Sequence, residues 1–346
     1  MLSYRSYWYV VALSRELKAD QVVSRKVLGE WLAVFRDEQG KAVALRDRCM
    51  HRNAPLSRGR VEAGQLQCPY HGWVYDGRGQ VVAVPAEARN FTTSPKRCAK
   101  GFEVREQEGF VYVRLESDGA DDVEPYRMPH YGDSGWRHIY LVNRFENNVT
   151  NCAENFIDIP HTVYVHDKIF RVQRSQKVNA DIVRKNGSVH ISYEGETSNL
   201  GWFSWFLNPK ATPIVHRDNF HMPNVTEVEY AFSENRRLFI VSQTVPEEDN
   251  LSLVYTTLSY QFGVFSRWPL REVAGRILAW QGQKVIDQDI EALAQQMTVI
   301  RKYGEEFQNT SADAIHVLVE SIRDEILAGR DPRKLKDVTA KVSFWV

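Results

Sequence analysis

Hydrophobic positions in the first third of the chain fall in short runs broken by turn residues. Glu30 to Arg36 and Ala42 to Arg46 are β-rich and flank Asp37-Glu38-Gln39-Gly40, a hairpin signal. Gly72 to Asp76 and Gln80 to Val84 surround another glycine turn, and Phe102 to Arg105 with Phe110 to Leu115 form a further candidate pair. The apolar run Tyr7 to Leu13 reads as a strand, since its two tyrosines and the lack of a small-residue cleavage pattern argue against a signal peptide. Together these runs predict a small all-β domain. Between Glu116 and Pro129 the chain turns polar and acidic, with Gly119, Asp121, Asp122, Pro125 and Pro129, the composition of a linker. The expected domains are therefore 1–120 and 121–346.

The second part has longer periods. Val178 to Arg184 and Ser188 to Glu194 alternate around Asn186-Gly187, a strong hairpin signal. Val225 to Phe232, Arg237 to Val245 and Leu251 to Phe262 read as an antiparallel meander. A long helix is predicted from about Arg271 to Tyr303. A second starts near Ser311, carries Ile315, Leu318, Val319, Ile322 and Ile326 on one face, and stops at Gly329. Strands followed by long helices predict an α+β layer, a curved antiparallel sheet wrapped on a helix.

Charge narrows the functional classes. Lys plus Arg (44) equals Asp plus Glu (44), so the chain has no global electrostatic footprint for nucleic acid or anionic lipid. No stretch approaches the roughly 20 apolar residues of a membrane span. Four cysteines, Cys49, Cys68, Cys98 and Cys152, are too few for a disulfide scaffold in so long a chain, and the expected compartment is the reducing cytoplasm.

Two of those cysteines belong to the most informative pattern, Cys49-x-His51, sixteen residues, then Cys68-x-x-His71. Zinc accepts this ligand set. So does a Rieske 2Fe-2S cluster, which takes two cysteines on one iron and two histidines on the other. A Cys49–Cys68 disulfide, or four ordinary core residues, are the remaining readings. The segments Cys49-Met50-His51-Arg52 and Cys68-Pro69-Tyr70-His71-Gly72-Trp73 resemble the cluster loops of Rieske non-haem iron oxygenases. Met50 replaces the proline usual there, which leaves the four ligands intact. Neither loop holds a cysteine beyond the ligands, so the resemblance is to the oxygenase kind and not to the respiratory Rieske proteins.

A second constellation lies in Glu154-Asn155-Phe156-Ile157-Asp158-Ile159-Pro160-His161-Thr162-Val163-Tyr164-Val165-His166. Histidines five apart point about 140° from each other on an ideal helix. Pro160 cannot donate to Phe156 and disfavours helical geometry at Ile159, so the helix is expected to break or bulge there. A 2-His-1-carboxylate site for Fe(II) needs one more acidic ligand. On the long helix Asp287, Asp289 and Glu291 compete. Ile286, Ile290, Leu293 and Met297 define an apolar face that contains Asp289 but not the other two. The bland reading of Asp289 is a flank residue paired to Lys284; of the two histidines, a structural pair.

The histidine segment resembles the iron-binding motif of the same family, whose third ligand is likewise an Asp in such a helix, beside a residue such as Gln288. The resemblance implies a terminal oxygenase α-component over essentially the whole chain, a Rieske domain followed by a helix-grip catalytic domain. It implies Cys49, His51, Cys68 and His71 on the cluster, His161, His166 and Asp289 on Fe(II), and O₂ as co-substrate. Asp158, three before His161, is expected to accept that ligand's ring N–H and to couple the two metals across subunits of a homotrimer. No dinucleotide or flavin fingerprint is visible, so a separate ferredoxin or NAD(P)H-dependent reductase is implied. The expected substrate is apolar and ring-bearing, undergoing hydroxylation, demethylation or dihydroxylation. The contrasting reading is a Rieske electron-transfer protein with a non-catalytic binding domain. His130, His138, His190, His216, His221 and His316 are assigned to no metal, with His190 expected to face solvent. His216 and His221 are placed in a loop following Trp202, Phe203, Trp205 and Phe206 that could line a substrate entrance. Cys98 and Cys152 read as packing thiols.

Overall fold

The alternating runs of the first part become two sheets in the computed structural model, which describes residues 2–87, 91–117, 122–166, 177–195, 207–266 and 269–346. The strands are β1 Trp8–Leu13, β2 Val23–Val27, β3 Glu30–Arg36, β4 Ala42–Arg46, β5 Arg60–Glu62, β6 Gln65–Gln67, β7 Val74–Tyr75, β8 Val81–Ala83, β9 Gly101–Gln107 and β10 Phe110–Arg114. A six-stranded antiparallel sheet runs β1-β10-β9-β4-β3-β2, and a small sheet runs β5-β6-β7-β8. The core around the latter gathers Phe35, Leu45, Leu56, Leu66, Tyr75 and Val81 with Cys49 and Cys68. Strand β2 escaped the sequence reading because Val-Ser-Arg-Lys-Val at a sheet edge has too few apolar residues to show a period.

The chain divides into two compact units, residues 1–127 with 246–248, and 128–245 with 249–346. In the linker stretch, residues 118–121 lie outside the described residues.

The second unit is built on an eight-stranded antiparallel sheet, β11-β17-β16-β15-β14-β13-β12-β18. Its strands are β11 Arg137–Phe145, β12 Lys177–Lys185, β13 Ser188–Glu194, β14 Val215–His221, β15 Val225–Ser233, β16 Arg236–Glu248, β17 Leu251–Phe262 and β18 Val338–Trp345. Asn186 (φ 49°) and Gly187 (φ 73°) both take the left-handed region between β12 and β13, the conformation that makes Asn-Gly the two-residue hairpin turn. The helices are α1 Val149–Ile157, α2 Thr162–Val165, α3 Leu270–Tyr303 and α4 Ala314–Leu327. Helix α3 lies on the sheet: Phe145, Val254 and Cys152 pack with its Ile286 and Leu293. This is the helix-on-curved-sheet arrangement, and α+β is the class. Among the described residues no helix is long and apolar enough to cross a membrane.

Two expectations fail here. His216 and His221 sit in strand β14, not in a loop. That strand, Val-His-Arg-Asp-Asn-Phe-His, alternates in burial, but two of its inward side chains are His216 and Asp218, so no hydropathy period is visible. His190 is half-buried and its Nδ1 lies 2.7 Å from Asn219 Oδ1, so it does not simply face solvent. Of the thiols, Cys152 is fully buried as expected, whereas Cys98 is partly exposed. Trp202, Phe203, Trp205 and Phe206 lie outside the described residues.

Candidate metal centres

Two loops of the first unit are closed in the same way. Cys49 N–H donates to Ala54 O (2.8 Å) and Asn53 N–H to Cys49 O (3.0 Å). Cys68 N–H donates to Trp73 O (2.8 Å) and Gly72 N–H to Cys68 O (3.2 Å). Each loop has a left-handed residue before its closing partner, Asn53 (φ 61°) and Gly72 (φ 70°). At Gly72 a Cβ would also stand 3.1 Å from Pro85 Cγ, so glycine suits the site twice over.

This geometry brings the two cysteines and the two histidines together. The His51 and His71 rings are 4.5 Å apart between centroids. Both thiols are buried and neither is in a disulfide, which removes the Cys49–Cys68 bridge from the readings. Tyr75 O–H donates to Cys49 Sγ at 3.2 Å and accepts from Met50 N–H at 2.9 Å. Burial pushes the Cys68 thiol up, and the adjacent Cys49 adds to this, against the backbone N–H groups of Tyr70 and His71. A buried thiol held protonated by its surroundings becomes a thiolate when a metal takes the proton's place. His51 Nδ1 is buried and makes no hydrogen bond, as a nitrogen aimed at a metal would.

In the second unit α1 ends at Ile157, and Asp158 leaves the helix in extended geometry (φ −93°, ψ 116°). The break at Ile159-Pro160 is the one the proline demands. The chain restarts as the single turn α2, with His161 immediately before it and His166 immediately after. The two rings, which a continuous helix would splay, come to 5.3 Å between centroids. Asp289 reaches them from α3. Its Oδ1 lies 3.1 Å from His166 Nε2 and 3.6 Å from His161 Nε2, and one donor atom from each of the three falls within 4.8 Å of the others. Asp287 and Glu291 are exposed, and Asp287 instead accepts from Gln283. Lys284 rests over the Trp280 ring at 3.9 Å, so it does not serve Asp289.

Charge in this group is mutually supported. Burial alone would push the Asp289 carboxyl up, but His161 and His166 outweigh it and hold it below the usual carboxylate range. Burial likewise pulls His161 down, yet Asp158 and Asp289 together raise it to about 9. Asp158 Oδ2 accepts from His161 N–H (3.3 Å) and stands 3.4 Å from its Nδ1. Gln288 Oε1 lies 3.0 Å from His166 Nδ1. Sequence reasoning gave Gln288 no role, although its place next to Asp289 was the available signal.

A cavity of about 120 Å³ adjoins the three residues. Phe156, Val228, Ile240, Leu258, Val285 and Ile286 give it apolar walls, and His216 and Asp218 give it a polar one. His216 Nε2 is 2.9 Å from Asp218 Oδ1, and Tyr193 O–H donates to Asp218 Oδ2 at 3.0 Å. His216, which the sequence placed in a loop that could line a substrate entrance, lines this cavity from strand β14 instead; Asp218 on the same strand and Tyr193 on β13 were given no role by sequence reasoning.

Residues 7–103 match the Rieske [2Fe-2S] domain, and residues 145–328, more than half of the chain, match the vanillate O-demethylase oxygenase C-terminal domain. The chain belongs to the Rieske oxygenases. This Rieske oxygenase is 25% identical over 323 residues to the oxygenase component of dicamba O-demethylase from Stenotrophomonas maltophilia, covering 88% of this chain and 92% of that one. It is 33% identical over 170 residues to the chloroplastic chlorophyllide a oxygenase of Chlamydomonas reinhardtii, covering 48% of this chain but only 25% of that longer protein. Against the toluene-4-sulfonate monooxygenase iron-sulfur subunit of Comamonas testosteroni the match spans about half of the relative, 56%. The fold matches the crystal structure of dicamba monooxygenase bound to dicamba with a TM-score of 0.77 at 22% identity, over 95% of this chain and 98% of that one.

Membership implies a Rieske cluster and a mononuclear iron, and the residues fit both. Two buried free thiols and two adjacent imidazoles suit the first. For the second, Asp289 Oδ1 is buried without a well-directed hydrogen bond. Its nearest groups are the His161 and His166 imidazoles, and where these are neutral the buried carboxylate charge is costly unless a cation compensates it.

Proposed function

We propose that this chain is the terminal oxygenase of a multicomponent system, taking electrons from a separate ferredoxin or NAD(P)H-dependent reductase and using O₂ to hydroxylate or demethylate an apolar, ring-bearing small molecule. The carrying observation is that His161, His166 and Asp289 converge in the wall of a largely apolar cavity. Their iron, when bound, supplies open positions at which O₂ can react beside the substrate. Cys49, His51, Cys68 and His71 hold the cluster that receives the electrons.

The protein's own groups do the rest. Asp289 brings the negative charge and the two imidazoles fix the direction of approach. Gln288 bonds His166 Nδ1 and so leaves Nε2 of that imidazole free for the metal, while Asp158, 3.4 Å from His161 Nδ1, favours the same choice there by its charge. The apolar walls exclude water and seat the ring, and the His216–Asp218 wall suits a polar substituent on it. The names of relatives acting on dicamba and toluene-4-sulfonate favour the same substrate class. Asp158, half-buried and next to His161, is in this reading also the electron route to a neighbouring subunit's cluster in a homotrimer. The free thiols suit a cytoplasmic setting.

The test is iron content with oxygen uptake. The protein should carry about three irons per chain, two in the cluster and one mononuclear. Asp289→Ala should lower this to about two, abolish substrate-dependent oxygen uptake with a surrogate reductase, and leave the Rieske absorption in place. Asp287→Ala should change none of these. An Asp289→Ala protein with full iron and turnover refutes the assignment.

A further inference from the structure

His51 stacks on Trp73, the residue that closes the second cluster loop. Its ring lies parallel to the Trp73 indole, 3° between planes and 4.8 Å between centroids. The Arg97 guanidinium sits 5.3 Å from the centre of the same indole. A full positive charge therefore stands no more than about 10 Å from a cluster imidazole, with a polarisable ring in contact with both. Arg97 Nη1 is held 2.8 Å from Glu87 Oε1, the two side chains each about a third exposed (34% and 33%). The backbone of Arg97 is anchored separately: its N–H donates to Ser94 O, and its O accepts from Val81 N–H and Gln80 Nε2. The loop does not depend on the guanidinium for its path.

We propose that Arg97 and Glu87 are a tuning pair for the Rieske cluster, Arg97 favouring the reduced form through the Trp73–His51 stack and Glu87 offsetting part of that charge. The inference rests on the reading of Cys49, His51, Cys68 and His71 as cluster ligands. One electron arriving from the ferredoxin or reductase adds one negative charge, and no bond is made or broken. A cation near the imidazole side of the cluster favours that state. A unit charge at about 10 Å shifts the reduction equilibrium roughly twofold at the dielectric of water and roughly fifteenfold at an effective value near 20. With both side chains partly solvated, screening places the expectation near the lower end, at about two- to fivefold.

The experiment is a dye-mediated redox titration of the intact protein without substrate, at fixed pH, followed by the visible circular dichroism of the cluster. Arg97→Gln should lower the midpoint potential, corresponding to a two- to fivefold loss in the reduction equilibrium. Glu87→Gln should raise it, and Arg97→Lys, which keeps the charge, should stay near the parent value. Added salt should shrink both shifts. A purely structural role would move Arg97→Gln and Glu87→Gln in one direction, since both break the same ion pair, and that result overturns the proposal. So does the absence of any shift. If Arg97→Gln does not assemble a cluster, Glu87→Gln decides, because an unchanged or lowered potential there is equally fatal. A parent protein with no Rieske spectrum would refute the ligand assignment instead.

Discussion

Gln288→Leu isolates one contact whose worth can be worked out in advance. Gln288 Oε1 is the 3.0 Å partner of His166 Nδ1, and His166 is only 2% exposed. Leucine fills similar space on α3 but accepts no hydrogen bond, so the ring N–H is left buried without this acceptor. Leaving such a donor unsatisfied costs about 1–3 kcal/mol. Replacing it with the other tautomer instead turns a protonated nitrogen towards Asp289 and removes the lone pair a metal needs. Loss of a hydrogen bond behind a metal-ligating histidine typically lowers affinity about 10- to 100-fold, equivalent to about 1.4–2.7 kcal/mol. The two routes agree in size. Competition for Fe(II) between the protein and a chromophoric chelator should show a loss in that range, while the Rieske absorption, belonging to the other unit, stays the same. Affinity within about threefold of the parent would mean that Gln288 does not orient His166, and the convergence of His161, His166 and Asp289 would need another support.

Cys68→Ser should bleach the visible spectrum, because a serine oxygen at that buried position cannot stand in for a thiolate on the cluster. A retained spectrum would refute the ligand set. Asp158→Asn should leave both metals bound and slow electron transfer between them, read as cluster reoxidation in single turnover of pre-reduced protein; parent-like rates would leave Asp158 with no coupling role. His316 is raised by Glu154, whose carboxylate lies 2.9 Å from its Nδ1, against the effect of burial. A raised folded-state value stabilises fully below the unfolded pKa near 6.5 and fades as pH climbs past the folded one. His316→Gln should accordingly lower Tm more at about pH 6 than at about pH 9, and an equal loss at both would show that the pairing of His316 with Glu154 and Glu320 carries no charge.

Much of this protein was determined locally. Turn chemistry and period-2 runs specified most strands, Asn186-Gly187 specified its hairpin, and Pro160 specified a break between Asp158 and His161, because each depends on the backbone preferences of a few adjacent residues. Asp289 was separable from Asp287 and Glu291 for the same kind of reason, since helical spacing places it on the apolar face. Tertiary structure decided what these residues meet. That Asp289 stands against His166 across more than a hundred residues of chain, and that Gln288 lies behind it, follows from α3 packing on the sheet, which no local pattern encodes. Strand β14 shows the limit most clearly. Its inward side chains include His216 and Asp218, which face a cavity, so a strand with regular alternation of burial carries no alternation of hydropathy. Sequence periodicity reports the side chains that a core excludes from water, and it fails where the interior is a site built of polar groups.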